Sequence, residues 1–112
     1  MLSLSPATRV FLAVTPVDLR KSFNGLYTLV RELFQQEPTS GFLFVFGNKR
    51  HNRLKILWWD GSGLCLFTKR LEKHTFAWPH GEEVHRSLRP EELQLLIHGM
   101  EAIPRAHWYR TA

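Results

Sequence analysis

The chain has 112 residues, which is the size of one domain. Hydrophobic residues make up 44% of it, too high a share for a disordered protein, so one packed core is expected. A single cysteine excludes an internal disulfide and a cysteine-based zinc site, and it is typical of the reducing cytoplasm. No signal peptide is recognisable, and no stretch approaches the roughly 20 apolar residues of a membrane span.

The whole excess of positive charge lies in one central segment, residues 48–74. The chain carries a net charge of +5 and has a sequence pI of about 9.9. Residues 48–74 hold seven positive and two negative side chains, and the rest of the chain nets to zero. A local excess of cations favours a polyanionic partner, which is either nucleic acid or an acidic protein surface.

The N-terminal third of the chain predicts a strand followed by a long helix. Residues 8–14 are apolar and β-branched, which is typical of a strand. In residues 18–35 the apolar side chains recur at steps of three and four, which predicts a helix with one apolar face. Asp18 is a good N-cap for this helix, and Gly25 is expected to let the helix pack closely on a sheet.

The central part of the chain predicts an antiparallel meander. The predicted strands are 42–46, 53–60, 64–71 and 75–78. The first of these is apolar on both faces, as in a central strand. A polar turn at 47–52 and a glycine-rich turn at 60–63 connect the first three strands, and short turns of this kind join antiparallel neighbours.

Alternation along residues 53–60 assigns each side chain of this strand to one of two faces. Leu54, Ile56 and Trp58 share one face. The opposite face carries Arg53, Lys55, Leu57 and Trp59. If only one of these faces points to the core, one of the two adjacent tryptophans points outward.

The C-terminal part of the chain predicts a second, shorter helix. Pro90 is a favourable first residue, Glu91 and Glu92 suit the first turn, and Gly99 ends the helix. Residues 101–112 form a tail to which no structure is assigned. Together the elements predict one α+β domain over residues 1–100. Its antiparallel β-meander sheet has about five strands, with the long helix packed on one face and a short C-terminal helix.

The cations of the predicted hairpin and its neighbouring turns are candidate nucleic-acid contacts. Lysine and arginine neutralise phosphates, and an outward aromatic such as Trp59 or Phe67 stacks on bases. Arg20 and Lys21 are expected in the first turn of the long helix, where the dipole disfavours cations, so they form a candidate second contact. The alternatives are a solvated sheet face whose cations protect an edge, and an ion pair for Arg20. The predicted nucleic-acid-binding residues are Lys49, Arg50, Arg53, Lys55, Lys69, Arg70, Lys73, Arg20 and Lys21.

Neither a metal site nor a catalytic centre is predicted, and no cofactor is expected. His74, His80 and His85 do not have a recognised metal-ligand spacing. Asp60 falls in a turn, where aspartate has a conformational role, and lacks the converging carboxylates of a two-metal nuclease. Cys65 falls within a predicted strand and is expected to be a core residue.

Four sequence blocks, occurring in a fixed order, resemble one known protein family. They are TPVDLRKSFNGL at 15–26, SGFLFVFGNKR at 40–50, RLKILWWDG at 53–61 and LCLFTKRLEK at 64–73. The blocks resemble the TnpB-type accessory protein, the product of the second open reading frame, of insertion-sequence family sixty-six. The resemblance covers roughly residues 9–99.

This resemblance implies a protein that is encoded beside a separate transposase and needed for efficient transposition, and it supplies no catalytic residues. We therefore expect a non-catalytic accessory protein in the cytoplasm that binds transposon-end DNA through a basic sheet and loop face. The alternative is a protein-interaction module that docks on the transposase or another accessory protein without contacting DNA. No membrane partner is expected in either case.

Overall fold

The computed structural model describes residues 7–99 of the chain. Their strands are β1 (Val10–Ala13), β2 (Leu43–Gly47), β3 (Arg53–Trp59), β4 (Leu64–Arg70) and β5 (His85–Leu88). The helices are α1 (Phe23–Leu29), which continues through one π-helical turn (Val30–Phe34), and α2 (Pro90–Ile97). A short 3₁₀ turn (Pro38–Ser40) precedes β2. No helix in this range is long and apolar enough to cross a bilayer.

The five strands form one mixed sheet in the order β4-β3-β2-β1-β5. β1 and β2 are parallel, and the other neighbours are antiparallel. The α+β class and the number of strands are confirmed, but the wholly antiparallel meander is wrong, because only β2, β3 and β4 follow one another in that way. Parallel neighbours need a crossover connection, and α1 supplies it between β1 and β2.

Residues 75–78 do not form the predicted fourth strand of the meander. The apolar side chains of Phe76 and Trp78 are separated by one residue, as on one face of a strand, and both are buried. Both residues nevertheless lie in a loop. The Phe76 N–H donates to the carbonyl of His51, and the indole N–H of Trp78 donates to the carbonyl of Ala13 at 3.0 Å. The strand that pairs with the outer side of β1 is β5, in a stretch whose polar composition is typical of a loop.

Both faces of the sheet are covered by apolar side chains. On one face, which we call the α1 face, helix α1 and its π-helical turn bury Leu26, Val30 and Phe34 against the sheet. On the other face, the α2 face, lie helix α2 and the loop residues Phe76 and Trp78. The prediction that the long helix packs on one face is therefore confirmed.

Covering both faces changes the surroundings of several β3 and β4 side chains. Trp58 packs against the core of the α2 face, and Trp59 alternates to the α1 face. Both are half-buried, so neither of these two tryptophans points fully outward. Phe67, a candidate for base stacking, also packs against the core of the α2 face. Cys65 is half-buried rather than in the core, and its thiol donates to the carboxylate of Asp60 at 3.5 Å.

Helix α1 begins later than predicted, at Phe23. Asp18 does not cap it, because its carboxylate accepts the backbone N–H of Arg20 in a separate turn, and such local bonds compete with helix formation. Arg20 and Lys21 therefore precede the helix, and the prediction that they lie in its first turn is wrong. Gly25 faces the Lys21 side chain rather than the sheet, since an added Cβ would lie 2.9 Å from the Cβ of Lys21.

Helix α2 begins at Pro90, as predicted. The carboxylate of Glu92 accepts the backbone N–H of Arg89 at 2.8 Å, which satisfies the start of the helix. Gly99 follows the helix with a φ of 79°, a conformation that favours glycine. The proposed domain boundary near residue 100 and the tail at 101–112 lie outside the described residues.

Candidate nucleic-acid interface

Two segments that are distant in sequence form a cleft at one end of the sheet. The cleft has a volume of about 470 Å³ and lies between residues 16–20, after β1, and residues 48–53, after β2. Because β1 and β2 are parallel, both segments leave the sheet at the same end. The backbone N–H of Val17 donates to the carbonyl of Gly47 at 2.8 Å and joins the two segments. The carboxyl ends of adjacent parallel strands are a frequent place for binding sites.

Four cationic side chains line this cleft, which we call the cationic cleft. They are Arg20, Lys49, Arg50 and Arg53. All four are exposed, and the carboxylate of Asp18 lies among them. The structure thus brings together cations that the sequence analysis assigned to two separate contacts.

Asp18 and Arg20 form a two-pronged ion pair in the cleft, which is the alternative expected for Arg20. The guanidinium donates from Nη2 to Oδ2 at 2.7 Å and from Nε to Oδ1 at 3.0 Å. These side-chain bonds, together with the backbone N–H of Arg20, lower the pKa of Asp18 from 3.8 to about 2. An exposed pair adds little to stability, but it offsets the charge of Arg20. Among the described residues, no carboxylate forms an ion pair with the other three cleft cations.

Asn48 organises the loop that carries Lys49 and Arg50. Its Oδ1 accepts the backbone N–H groups of Asn52 and Arg53 at 3.1 and 3.0 Å, and its Nδ2 donates to Oδ1 of Asn52 at 2.7 Å. These bonds hold the base of the loop and leave Lys49 and Arg50 exposed at its tip. Asparagine is a general turn signal, but its partners are not readable from the sequence, so this role was missed.

His51 supports the same loop from the α2 side and was also missed by the sequence analysis. Its backbone has a φ of 56°, and its ring stacks on Trp78 with 5.5 Å between ring centroids. Burial, and to a smaller extent His80, lowers the pKa of the His51 imidazole, so the neutral ring is favoured. Its Nε2 is buried and has no hydrogen-bond partner within residues 7–99. His51 therefore contributes packing rather than charge.

Three more of the predicted cations adjoin the cationic cleft on the α1 side. Arg70 is the register partner of Arg53, so the two side chains point to the same face, and Arg70 also pairs with Glu72 at 3.0 Å. The Nζ of Lys55 donates to the carbonyl of Lys21 at 2.9 Å and ties β3 to the segment before α1. Lys21, Lys55 and Arg70 therefore extend the positive surface beyond the cleft.

The other two predicted cations do not line the cationic cleft. Lys69 points to the α2 face, and its Nζ donates to the carbonyl of Ile97 at 2.8 Å. That carbonyl lies at the C-terminal end of α2, where a cation is electrostatically favourable. Lys73 lies in the exposed turn after β4. Consecutive residues of a strand point to opposite faces, and this separates Lys69 from Arg70.

Outside the cleft, the groups considered for metal binding or catalysis are the histidines and Asp60. Within residues 7–99, no group of three or more histidine, cysteine, aspartate or glutamate side chains is placed to hold a metal ion. Asp60 accepts the backbone N–H groups of Ser62 and Gly63 at 2.9 and 3.0 Å in the β3–β4 turn. The bond from Ser62, followed by that from Gly63, lowers the pKa of Asp60 to about 2. Asp60 thus has the conformational role predicted for it.

Comparison with known proteins agrees with the four sequence blocks. The family described as IS66 Orf2 like protein matches residues 8–106. Uncharacterized protein y4jC of Sinorhizobium fredii (strain NBRC 101917 / NGR234) is 40% identical over 101 residues, which are 90% of this chain and 86% of that protein. Uncharacterized protein y4hO of the same strain is 37% identical over 112 residues, which are 99% of this chain and 97% of that protein. No solved structure matches the chain. The chain therefore belongs to the IS66 Orf2-like family and is an accessory protein of insertion-sequence transposition.

Proposed function

We propose that this accessory protein binds transposon-end DNA through the cationic cleft. The observation that carries the proposal is the convergence of four cationic side chains, from two distant segments, on one open cleft. Like charges repel one another, so a cluster of cations with one carboxylate among them favours an anionic ligand. The central segment that supplies three of the four also holds the whole charge excess of the chain.

Phosphate is the anion that these side chains suit best. Arg50 and Arg53 carry planar guanidinium groups, which donate paired hydrogen bonds to phosphate oxygens, and Lys49 adds a point charge. Lys49 and Arg50 stand on a loop that Asn48 already holds in shape, so little backbone ordering is needed on binding. Contacts of this kind position DNA without reading its sequence.

Asp18 makes the four cationic contacts unequal. Its carboxylate already binds the guanidinium of Arg20 and repels a phosphate that approaches this end of the cleft. Arg50 and Arg53 have no such partner in the part of the chain that the structure describes. We therefore expect Arg50 and Arg53 to contribute more to DNA affinity than Arg20 does.

The proposed role is non-catalytic. A surface that holds phosphates positions the transposon end, whereas strand cleavage and joining belong to the separate transposase. This division fits a protein whose carboxylates near the cleft and in the β3–β4 turn are each engaged by local hydrogen bonds.

A protein interaction with the transposase is the second candidate function. It is favoured by Phe23, a large apolar side chain that is 42% exposed at the start of α1, close in sequence to Arg20. Exposed aromatic side chains bordered by polar residues are frequent in protein interfaces. The half-buried state of Trp58 and Trp59 weakens the corresponding argument for those two residues.

Fluorescence anisotropy tests DNA binding by the cleft. The purified protein is titrated into labelled transposon-end and unrelated duplexes over a series of salt concentrations. Phosphate contacts release counterions, so affinity should fall steeply with salt. In the double variant Arg50→Gln, Arg53→Gln, the affinity should fall and the slope of log K against log salt should decrease by about 1 for each lost contact.

Arg31→Gln is the matched control for the single variants Arg50→Gln and Arg53→Gln, because it removes one positive charge from the π-helical turn after α1, and Arg31 does not line the cleft. It should leave both the affinity and the salt slope close to those of the unaltered protein. Equal losses in Arg31→Gln and in either single variant of the cleft would show a nonspecific charge effect and contradict the assignment to the cleft. Absence of binding by the unaltered protein at low salt would refute direct DNA binding and favour the interaction with the transposase.

A further inference from the structure

Strand β4 is a long outer strand of the sheet. It spans Leu64–Arg70 and pairs with β3 in an unbroken register of seven residue pairs, without proline, glycine or a bulge. The strand at the opposite edge, β5, has only four residues. Of the two edges, β4 is therefore the better template for adding another strand.

The turn at each end of the β3–β4 ladder shows which β4 backbone groups face outward. The Asp60 N–H donates to the carbonyl of Gly63, and the Leu71 N–H donates to the carbonyl of Asn52. Hydrogen-bonded and non-hydrogen-bonded pairs alternate in an antiparallel ladder, so Cys65 and the residues at 67 and 69 bond to β3. The residues that direct their N–H and C=O groups away from β3 are Leu64, Leu66, Thr68 and Arg70.

Within residues 7–99, the β4 edge lacks the usual protection against strand addition. Charged side chains usually protect an edge, but both cations of β4 are already engaged. The Nζ of Lys69 donates to the carbonyl of Ile97, and Arg70 forms an ion pair with Glu72. The side chains of Leu64 and Leu66 are half-exposed and apolar. No strand among residues 7–99 pairs with the outer side of β4.

We propose that β4 pairs with β4 of a second copy of this chain, antiparallel, about a two-fold axis at Phe67. This axis gives full overlap of the two strands and sets every outward-facing residue of one copy against an outward-facing residue of the other. Thr68 then faces Leu66 across the axis, and Arg70 faces Leu64. All outward backbone groups of both strands are satisfied by this one arrangement.

Charge also favours an antiparallel second copy. The cations of β4, Lys69 and Arg70, lie at one end of the strand, and its other end is apolar. A parallel copy would set like charges directly side by side, which destabilises a sheet. In the antiparallel pair each cationic end meets an apolar end, and the two Arg70 residues lie about 20 Å apart along the strands.

The arrangement extends the sheet and places the two cationic clefts at opposite ends of the paired strands, because strand direction is reversed between the two copies. The two-fold axis of an antiparallel strand pair is perpendicular to the sheet, so both copies present their α1 faces on the same side. The pair forms one continuous sheet with twice the five strands of a single chain. Two phosphate-holding surfaces on one side suit a partner with paired binding positions.

Thr68→Pro tests the pairing while leaving the β3–β4 ladder intact. The N–H of Thr68 faces outward, so proline removes a donor to the second copy but none to β3. Sedimentation equilibrium of the full chain should give about twice the 13.1 kDa of one chain. Thr68→Pro should weaken association by at least about tenfold, because the symmetry removes the same bond twice. The matched control Thr68→Val keeps the N–H and should associate within about twofold of the unaltered protein.

Amide hydrogen exchange of the unaltered protein gives a second readout that does not depend on the folding of the proline variant. The N–H groups of Leu66 and Thr68 should be protected at high protein concentration and should lose protection on dilution. A chain that remains monomeric at high concentration overturns the proposal. Protection of these amides that does not change on dilution also overturns it, because another part of the same chain would then cover β4.

Discussion

Replacing Asn48 by alanine removes the side chain that holds the basic loop. In the structure this side chain makes three hydrogen bonds, two from the backbone N–H groups of Asn52 and Arg53 and one to the side chain of Asn52. Neither Lys49 nor Arg50 is altered by the substitution, so the charge of the cationic cleft stays the same. The variant Asn48→Ala therefore separates the shape of the loop from its charge.

The expected loss of stability follows from the number of bonds. A typical hydrogen bond contributes about 1 kcal/mol, and Asn48 is only partly buried, so water replaces some of what is lost. We expect Asn48→Ala to lower the free energy of unfolding by about 2 kcal/mol, and Asn52→Ala, which removes one of the three bonds, by about 0.5–1 kcal/mol. For a domain of this size, 2 kcal/mol corresponds to a fall in Tm of about 8–10 °C.

Thermal unfolding followed by circular dichroism measures both variants under one set of conditions. DNA affinity, measured on the same samples across salt, should fall in Asn48→Ala with an unchanged salt slope, because the number of phosphate contacts is the same. The reasoning is refuted if Asn48→Ala and Asn52→Ala unfold at the same temperature. That result would mean that the two backbone bonds of Asn48 do not hold the loop.

Two further predictions concern Asp18 and Trp78. The carboxyl of Asp18 should titrate near pH 2 by NMR, and Arg20→Ala should move this midpoint back towards 3.8. Because the pKa of Asp18 is lower in the folded state, the ion pair's contribution to the free energy of unfolding is complete above pH 3.8. This contribution is lost as the pH falls through about 2. An unchanged midpoint in Arg20→Ala would assign the shift to another cause. Trp78→Phe should lower the free energy of unfolding by about 1–3 kcal/mol in denaturant titrations, because it leaves the buried carbonyl of Ala13 without its donor. A loss below about 0.5 kcal/mol would show that another donor replaces the indole.

The elements that could be predicted from the sequence are those with local signals. The β3–β4 hairpin follows from alternation on both sides of a glycine-rich turn, and the face of each β3 side chain follows from the same period of two. The start of α2 follows from Pro90 and the acidic first turn, and its end from Gly99. In each case the residues that determine the element are close neighbours in the chain.

The predicted elements were wrong where buried loop residues have the spacing of a strand, and where a side chain has two possible local hydrogen-bond partners. Phe76 and Trp78 are both buried and alternate as in a strand, yet the backbone N–H of Phe76 and the indole N–H of Trp78 bond to the distant carbonyls of His51 and Ala13. Asp18 has the residue type of an N-cap, but in the folded chain it binds Arg20 and the helix begins later. Sequence periodicity reports which side chains are buried and does not identify hydrogen-bond partners.

By itself, the sequence determined the charge excess, its concentration in residues 48–74, the hairpin, the short helix and the family to which the chain is similar. Only the tertiary structure decided that β1 and β2 are parallel neighbours, and hence that Arg20 shares a cleft with Arg50 and Arg53. It also decided that Lys69 donates a hydrogen bond to the carbonyl of Ile97 at the end of α2 and does not belong to the cationic surface. The physical reason is that strand order depends on the burial of both sheet faces, which requires contacts between residues far apart in the chain. Short-range sequence patterns do not specify those contacts.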